Sequence, residues 1–189
     1  MRKINKSIVS YKLLGAVAIS ASMLFLAGCA SNATISGMTY HGPISQNKVL
    51  KENIGISNVK GGFETSSMGR SQINNKNLNK ALKNSLIASK LYDSSGKYVL
   101  SSKIEKMDQP YAGIDMTVLM SVLYHLEDKS THKQVFHRTI KSKYTATMGD
   151  AFVGTTRLRL ANEGAAKNNI KQLIEALNDL KIKGADIKI

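Results

Sequence analysis

Cysteine is almost absent from this chain. Cys29 is the only one in 189 residues, so no intramolecular disulfide can staple the fold. Stability must come from a hydrophobic core, and 42% apolar residues can supply one. Acids are also scarce: 13 of them stand against 27 basic residues, which leaves little from which to build paired catalytic carboxylates. The sequence has no Gly-rich phosphate loop, no GxSxG and no HExxH; Gly61-Gly62 alone is a turn signal. No internal repeat is visible. Catalysis is therefore not expected. The longest apolar stretch, Leu13 to Leu26, is shorter than the roughly 20 residues that cross a bilayer as a helix.

That stretch has another use. Arg2, Lys3, Lys6 and Lys12 precede it with no acid among them, which is the layout of an export signal over residues 1–28. It ends in Leu26-Ala27-Gly28-Cys29, which resembles the lipobox of bacterial lipoproteins. The resemblance implies cleavage before Cys29 and a diacylglycerol on its sulfur, with no other cofactor; a thiolate is the nucleophile such alkylation needs. Each buried acyl methylene contributes about 0.8 kcal/mol, so two or three chains make desorption negligible. In that family, retention in the inner membrane often goes with aspartate after the cysteine. Ala30 and Ser31 stand here, which implies the outer membrane and a protein facing the periplasm.

Beyond residue 28 the chain keeps 23 basic and 13 acidic residues, a formal charge near +10. A basic exported protein meets anionic lipid, lipopolysaccharide phosphate or acidic wall glycan, and not nucleic acid. Residues 29–48 are rich in Ser, Asn and Gly around Pro43, and read as a flexible tether spanning about 25 Å.

A single domain is expected over residues 49–182. Ile54, Ile56 and Asn58 share one face of a short strand. Leu78, Ala81, Leu82, Ser85 and Leu86 form the stripe of a helix over residues 75–89, with Asn74 or Asn75 as N-cap. Tyr98, Leu100, Ser102 and Ile104 alternate along a second strand. Ile114 to Leu126 alternates for seven positions, with Leu119 and Leu123 on the other face, so this strand should be central. A partner strand carries Phe136, Ile140 and Tyr144. Antiparallel pairing then sets Leu126 against Phe136, Val122 against Ile140 and Val118 against Tyr144, all on one face. A last helix over residues 156–180 carries Leu158, Ala165, Asn169, Leu173 and Leu177, with small residues from Ala161 to Ala166 allowing close approach to the sheet. Gly184 should stop it, leaving residues 183–189 as a frayed tail. The class is α+β: β-α-β-β-β-α, a largely antiparallel sheet of about four strands with two helices on one face.

Lipobox, tether and such a domain together resemble a broad group of small periplasm-facing lipoproteins. It includes the lipopolysaccharide-assembly lipoprotein and the auxiliary lipoproteins of lipid-transport ABC systems. The stretch "GDAFVGTTRLRLANEGAAKNNIKQLIEAL", Gly149 to Leu177, resembles their last helix in layout. The resemblance implies an accessory or interaction module in envelope assembly or lipid transport, with an envelope protein as partner. The basic surface offers an alternative, a protein that holds anionic lipid, lipopolysaccharide or peptidoglycan.

Three constellations are candidates for contact. Arg157 and Arg159 lie in the first turn of the last helix, where the dipole disfavours cations. With Thr155 and Thr156 they would present donors to an anion; alternatively Arg159 pairs with Glu163 four residues on. Met107 and Tyr111 flank Pro110 on a loop that is either a partner contact or a lid on the core. His125 and His137 fall opposite each other in the hairpin, with Glu127 nearby. They are weak candidates for a metal or a pH sensor, and otherwise a solvent-facing pair.

Overall fold

A computed structural model describes residues 30–66 and 69–182. The export signal, Cys29, Gly184 and the tail lie outside the described residues. The elements are α1 (Ile35–Met38), β1 (Ile54–Lys60), α2 (Asn75–Ala88), β2 (Tyr98–Asp108), β3 (Met116–Asp128), β4 (Lys133–Ala146) and α3 (Gly154–Asn178). The fold is α+β, a four-stranded mixed sheet in the order β1-β2-β3-β4. β1 and β2 run parallel with α2 as their crossover, and β2, β3 and β4 are antiparallel.

Side-chain alternation sets the register. In the β3–β4 hairpin Leu126 pairs with Phe136, Val122 with Ile140 and Val118 with Tyr144, as the alternation requires. The inward residues of β2 and β3 are buried beneath the helices. α2 buries Leu78, Ala81, Leu82, Ser85 and Leu86, the stripe read from its spacing, and Asn74 caps it by accepting from the Asn77 N–H at 2.7 Å. Each fully buried leucine of that stripe contributes about 1.5–3 kcal/mol. α3 packs on β3 and β4, while α1 bridges α2 and α3. Ala161, Ala165 and Ala166 are wholly buried, and a Cβ on Gly164 would land in the Tyr144 ring, so small residues do bring this helix close to the sheet.

The fold departs from expectation at three points. Residues 30–48 are no tether. Ala33, Met38 and Leu50 are wholly buried, and polar side chains fix the backbone between them. Thr34 Oγ1 caps α1 and the Tyr40 N–H donates to Ser85 Oγ at 2.9 Å. Asn47 Nδ2 donates to the carbonyls of Leu177 and Leu180 at 2.8 and 2.9 Å, closing the end of α3. Asn58 is exposed, because a bulge after Ile56 turns Val59 inward instead. Ile114 lies before β3 and is 74% exposed. Leu119 is 48% exposed: β3 is central in the sheet, but the face away from the helices is open to solvent.

Candidate functional site

The arginines of α3 turn inward or pair locally. Val153 gives this helix no side-chain cap. Arg157 is 6% exposed and its guanidinium Nη1 donates to the carbonyls of Ala151 and Phe152 at 2.8 and 2.6 Å, Nη2 to that of Gly113 at 3.3 Å. These carbonyls offset the unfavourable dipole and the loss of hydration. Arg159 donates to Glu163 Oε1 at 2.9 Å, the intrahelical pair, and the same oxygen accepts the Thr34 N–H at 2.8 Å. Thr155 and Thr156 are half-buried at the start of α3. The four residues therefore do not converge on an anion. Arg157 is a clasp between two loops, and Glu163 holds the entering chain.

Met107 belongs to β2 and packs half-buried against the core, the lid reading. A bulge between Ile104 and Lys106 in the β2–β3 pairing turns it inward opposite Met120. Tyr111, by contrast, is 88% exposed, with the Arg70 guanidinium 4.2 Å from its ring centre.

On the open sheet face His125 and His137 do stand opposite each other, their Nδ1 atoms 3.4 Å apart and their rings edge to face. Glu127 lies 3.6 Å from His125 Nε2 and 2.8 Å from His132 Nδ1, and these contacts hold its carboxyl below the usual carboxylate range, His132 most of all. Among the described residues no group of three or more His, Cys, Asp or Glu is arranged to hold a metal. A groove of about 320 Å³ lies beside this pair, lined by Ser57, Lys60, Ser101, Lys103, Leu123 and His125. Lys60 and Lys103 are register partners on adjacent strands, like charges side by side. Lys141 and Lys143 are exposed on β4, opposite Ser121 and Leu119.

The described parts of the loop after β1 (61–66 and 69–74), loop 109–115 and loop 147–153 meet at one end of the sheet, because β2 finishes there, β3 begins there and α3 leaves from there. Gln109 Nε2 donates to Asn162 Oδ1 at 2.6 Å and to the Ser71 carbonyl at 2.9 Å; Asn162 Nδ2 donates to that carbonyl at 2.9 Å. Each loop presents large apolar side chains to solvent: Phe63 (68% exposed), Tyr111, Ile114, Met148 and Phe152 (74%). Sequence reading marked only Tyr111 among them for contact, and placed Ile114 on the inward face of a strand. The signal lay in three separate connections, each carrying a bulky apolar residue where turn chemistry needs none, and only the topology brings them together.

No protein-family model matches the sequence, and no curated protein matches it either. Among solved structures, a protein from Xanthomonas campestris is similar at 15% identity and TM-score 0.48, over 79% of this chain and 84% of that one. PelC from Paraburkholderia phytofirmans, solved as a dodecamer, is similar at 17% identity and TM-score 0.48, over 71% and 93%. A minor lipoprotein from Acinetobacter baumannii is similar at 10% identity and TM-score 0.44, over 68% and 93%. Identities below 20% and TM-scores below 0.5 leave function to the chain's own residues.

Proposed function

We propose that this chain is a lipid-anchored protein of the bacterial envelope, held in the outer membrane by acyl chains on Cys29 and facing the periplasm. There it serves, without catalysis, as an accessory module for an envelope protein in assembly or lipid transport. Leu26-Ala27-Gly28-Cys29 behind a basic and then apolar segment carries the reading. Mass spectrometry of the protein from membranes tests it: a new N-terminus at Cys29 bearing a diacylglycerol is expected, and an intact thiol at that position would overturn it. Crosslinking in intact cells, with Cys29→Ser as control, then identifies the partner. A stoichiometric envelope protein that weakens in the control is the expected result.

A second reading is favoured by the open sheet face. Lys60 and Lys103 stand side by side over a groove, with Lys141 and Lys143 on the same sheet, where an anionic glycan or lipid phosphate would relieve like-charge repulsion. Binding of that kind weakens steeply between low and physiological salt, whereas a shape-driven protein interface does not. If only salt-sensitive lipid or glycan co-purified, this second reading would replace the first.

A further inference from the structure

The described body begins at the loop-bearing end of the sheet. Ser31 accepts at its carbonyl from Ser71 Oγ at 2.7 Å, and Asn32 binds loop 61–74 twice, through the Glu64 carboxylate and the Thr65 N–H, each at 2.9 Å. The next strand of contacts, the Ala33 N–H donating to the Gln72 carbonyl at 2.9 Å, fixes the direction of entry. Cys29 is two residues before Ser31, a reach of at most roughly 7 Å in extended chain. Whatever holds the Cys29 sulfur is therefore tethered within a short reach of Ser31 and of the loop residues Ser71, Glu64 and Thr65 that bind this stretch.

The same cluster carries Phe63, Tyr111, Ile114, Met148 and Phe152 on its outer surface. Internal bonds hold the loops in place. Arg157 ties loop 147–153 to loop 109–115, and Arg70 ties loop 61–74 to it through the Gln109 carbonyl at 3.3 Å and the Tyr111 ring. The charges carried by these loops and the strand end beside them are few and of both signs, Arg70 and Lys106 against Glu64, Asp108, Asp115 and Asp150, with Lys106 paired to Asp108 at 2.8 Å. An apolar surface with little net charge, placed next to acyl chains, suits the phospholipid interface, where aromatic and aliphatic side chains leave water and Tyr keeps its hydroxyl wet.

We propose that this loop pole is the membrane-facing surface of the protein, seating the domain directly on the phospholipid interface with Cys29 as its anchor. The proposal rests on acylation of Cys29, and the test separates the two. The lipidated full-length protein is reconstituted in phosphatidylcholine vesicles, a neutral lipid that gives the basic sheet face no reason to bind. A second cysteine, the only free thiol once Cys29 is alkylated, is introduced as Ala112→Cys at the pole or Ser94→Cys at the far end. Each is labelled with a polarity-sensitive fluorophore and exposed to doxyl-labelled lipid.

Quenching at position 112 but not at 94 is expected. The seated-to-unseated ratio read from it should fall roughly tenfold in a background of Ile114→Ser with Phe152→Ser, both exposed enough to leave the fold intact, since losing two interfacial side chains removes at least the 1.4 kcal/mol that a factor of ten represents. An unmodified Cys29 by mass would end both readings. With Cys29 acylated, three outcomes would overturn the seating alone: equal absence of quenching at both positions, equal quenching at both, or shielding of position 112 from aqueous iodide without doxyl quenching. The last would assign the pole to contact with a second copy of this chain.

Discussion

Asn47 decides whether residues 30–50 are part of the domain. Its side chain is 9% exposed and makes four hydrogen bonds: Nδ2 to the carbonyls of Leu177 and Leu180, and Oδ1 from the N–H groups of Val49 and Leu50 at 3.1 and 3.2 Å. At a net 0.5–1.5 kcal/mol each, discounted for the partial exposure of two of them, Asn47→Ala should cost about 2–4 kcal/mol. For a chain of this size that lowers Tm by roughly 5–15 °C. Asn47→Asp should cost more at neutral pH, because a carboxylate would face two carbonyls at the negative end of α3. It should recover as pH falls toward about 4, because the facing carbonyls raise the acid's pKa and the protonated acid donates again. Urea denaturation of the mature protein at pH 7 and pH 4 measures both effects. A cost below about 0.5 kcal/mol for Asn47→Ala would refute the packed arrangement and restore a tether, since exposed polar substitutions have effects of that size.

Tyr124→Phe should cost about 1–3 kcal/mol by urea denaturation, because the Tyr124 hydroxyl donates at 2.9 Å to Asn169 Oδ1, which is 1% exposed and has no water to replace it. Burial also pushes the Tyr124 hydroxyl pKa well up, so it stays a donor at every working pH. Asp128 accepts from Ser130 Oγ, its N–H and Lys97 Nζ at 2.6, 2.9 and 3.0 Å, and these bonds, Ser130 first, hold its pKa well below the usual range. A depressed pKa stabilises the fold above the unfolded value near 4 and loses that contribution as pH falls below it, so Asp128→Asn should show a smaller drop in urea midpoint from pH 5 to pH 3 than wild type; an equal drop would count against the reading. Gly164→Ala should destabilise by about 1–3 kcal/mol through the Tyr144 ring, yet stabilise by roughly 0.5–1 kcal/mol in a Tyr144→Ala background, where only the helix preference of alanine remains. Failure of the sign to reverse in the double-mutant cycle would place the strain elsewhere.

The parts of the fold legible in the sequence are those in which one local rule repeats. Six of the seven alternating positions, Met116 to Leu126, fixed which face of β3 is inward, and three pairs along it then set the hairpin register. The α2 stripe was legible for the same reason. What escaped depends on partners far along the chain. Nothing near Asn47 indicates that its amide will meet carbonyls 130 and 133 residues away, and a Ser/Asn-rich stretch reads as coil until those partners exist. The bulge after Ile56 breaks the period of two, so Asn58 and Val59 exchange faces. Arg157 and Arg159 were identified as an anomaly at a helix start, but only the loops ahead of α3 show what resolves it, carbonyls for one and Glu163 for the other.

Loss of the tether changes what an acyl anchor at Cys29 would do. A flexible span of about 25 Å would let the domain present any face to any neighbour, and membrane residence would say nothing about orientation. A body that starts beside the anchor is oriented by it. With the loop pole on the membrane, β3 leaves the interface at Met116 and rises at about 3.4 Å per residue, which sets Leu119 and its neighbour Lys143 about 10 Å up and His125 about 30 Å up. The Debye length in physiological salt is about 8 Å, so the field of anionic headgroups reaches Lys143 and is spent before it reaches Lys103 and the histidine pair. Under the proposed seating, the groove between Lys60, Lys103 and His125 would point away from the membrane, beyond the reach of its field. The two surfaces would then divide the work: the apolar pole would answer to lipid whatever its charge, and the basic sheet face to a soluble or neighbouring anion whatever the membrane.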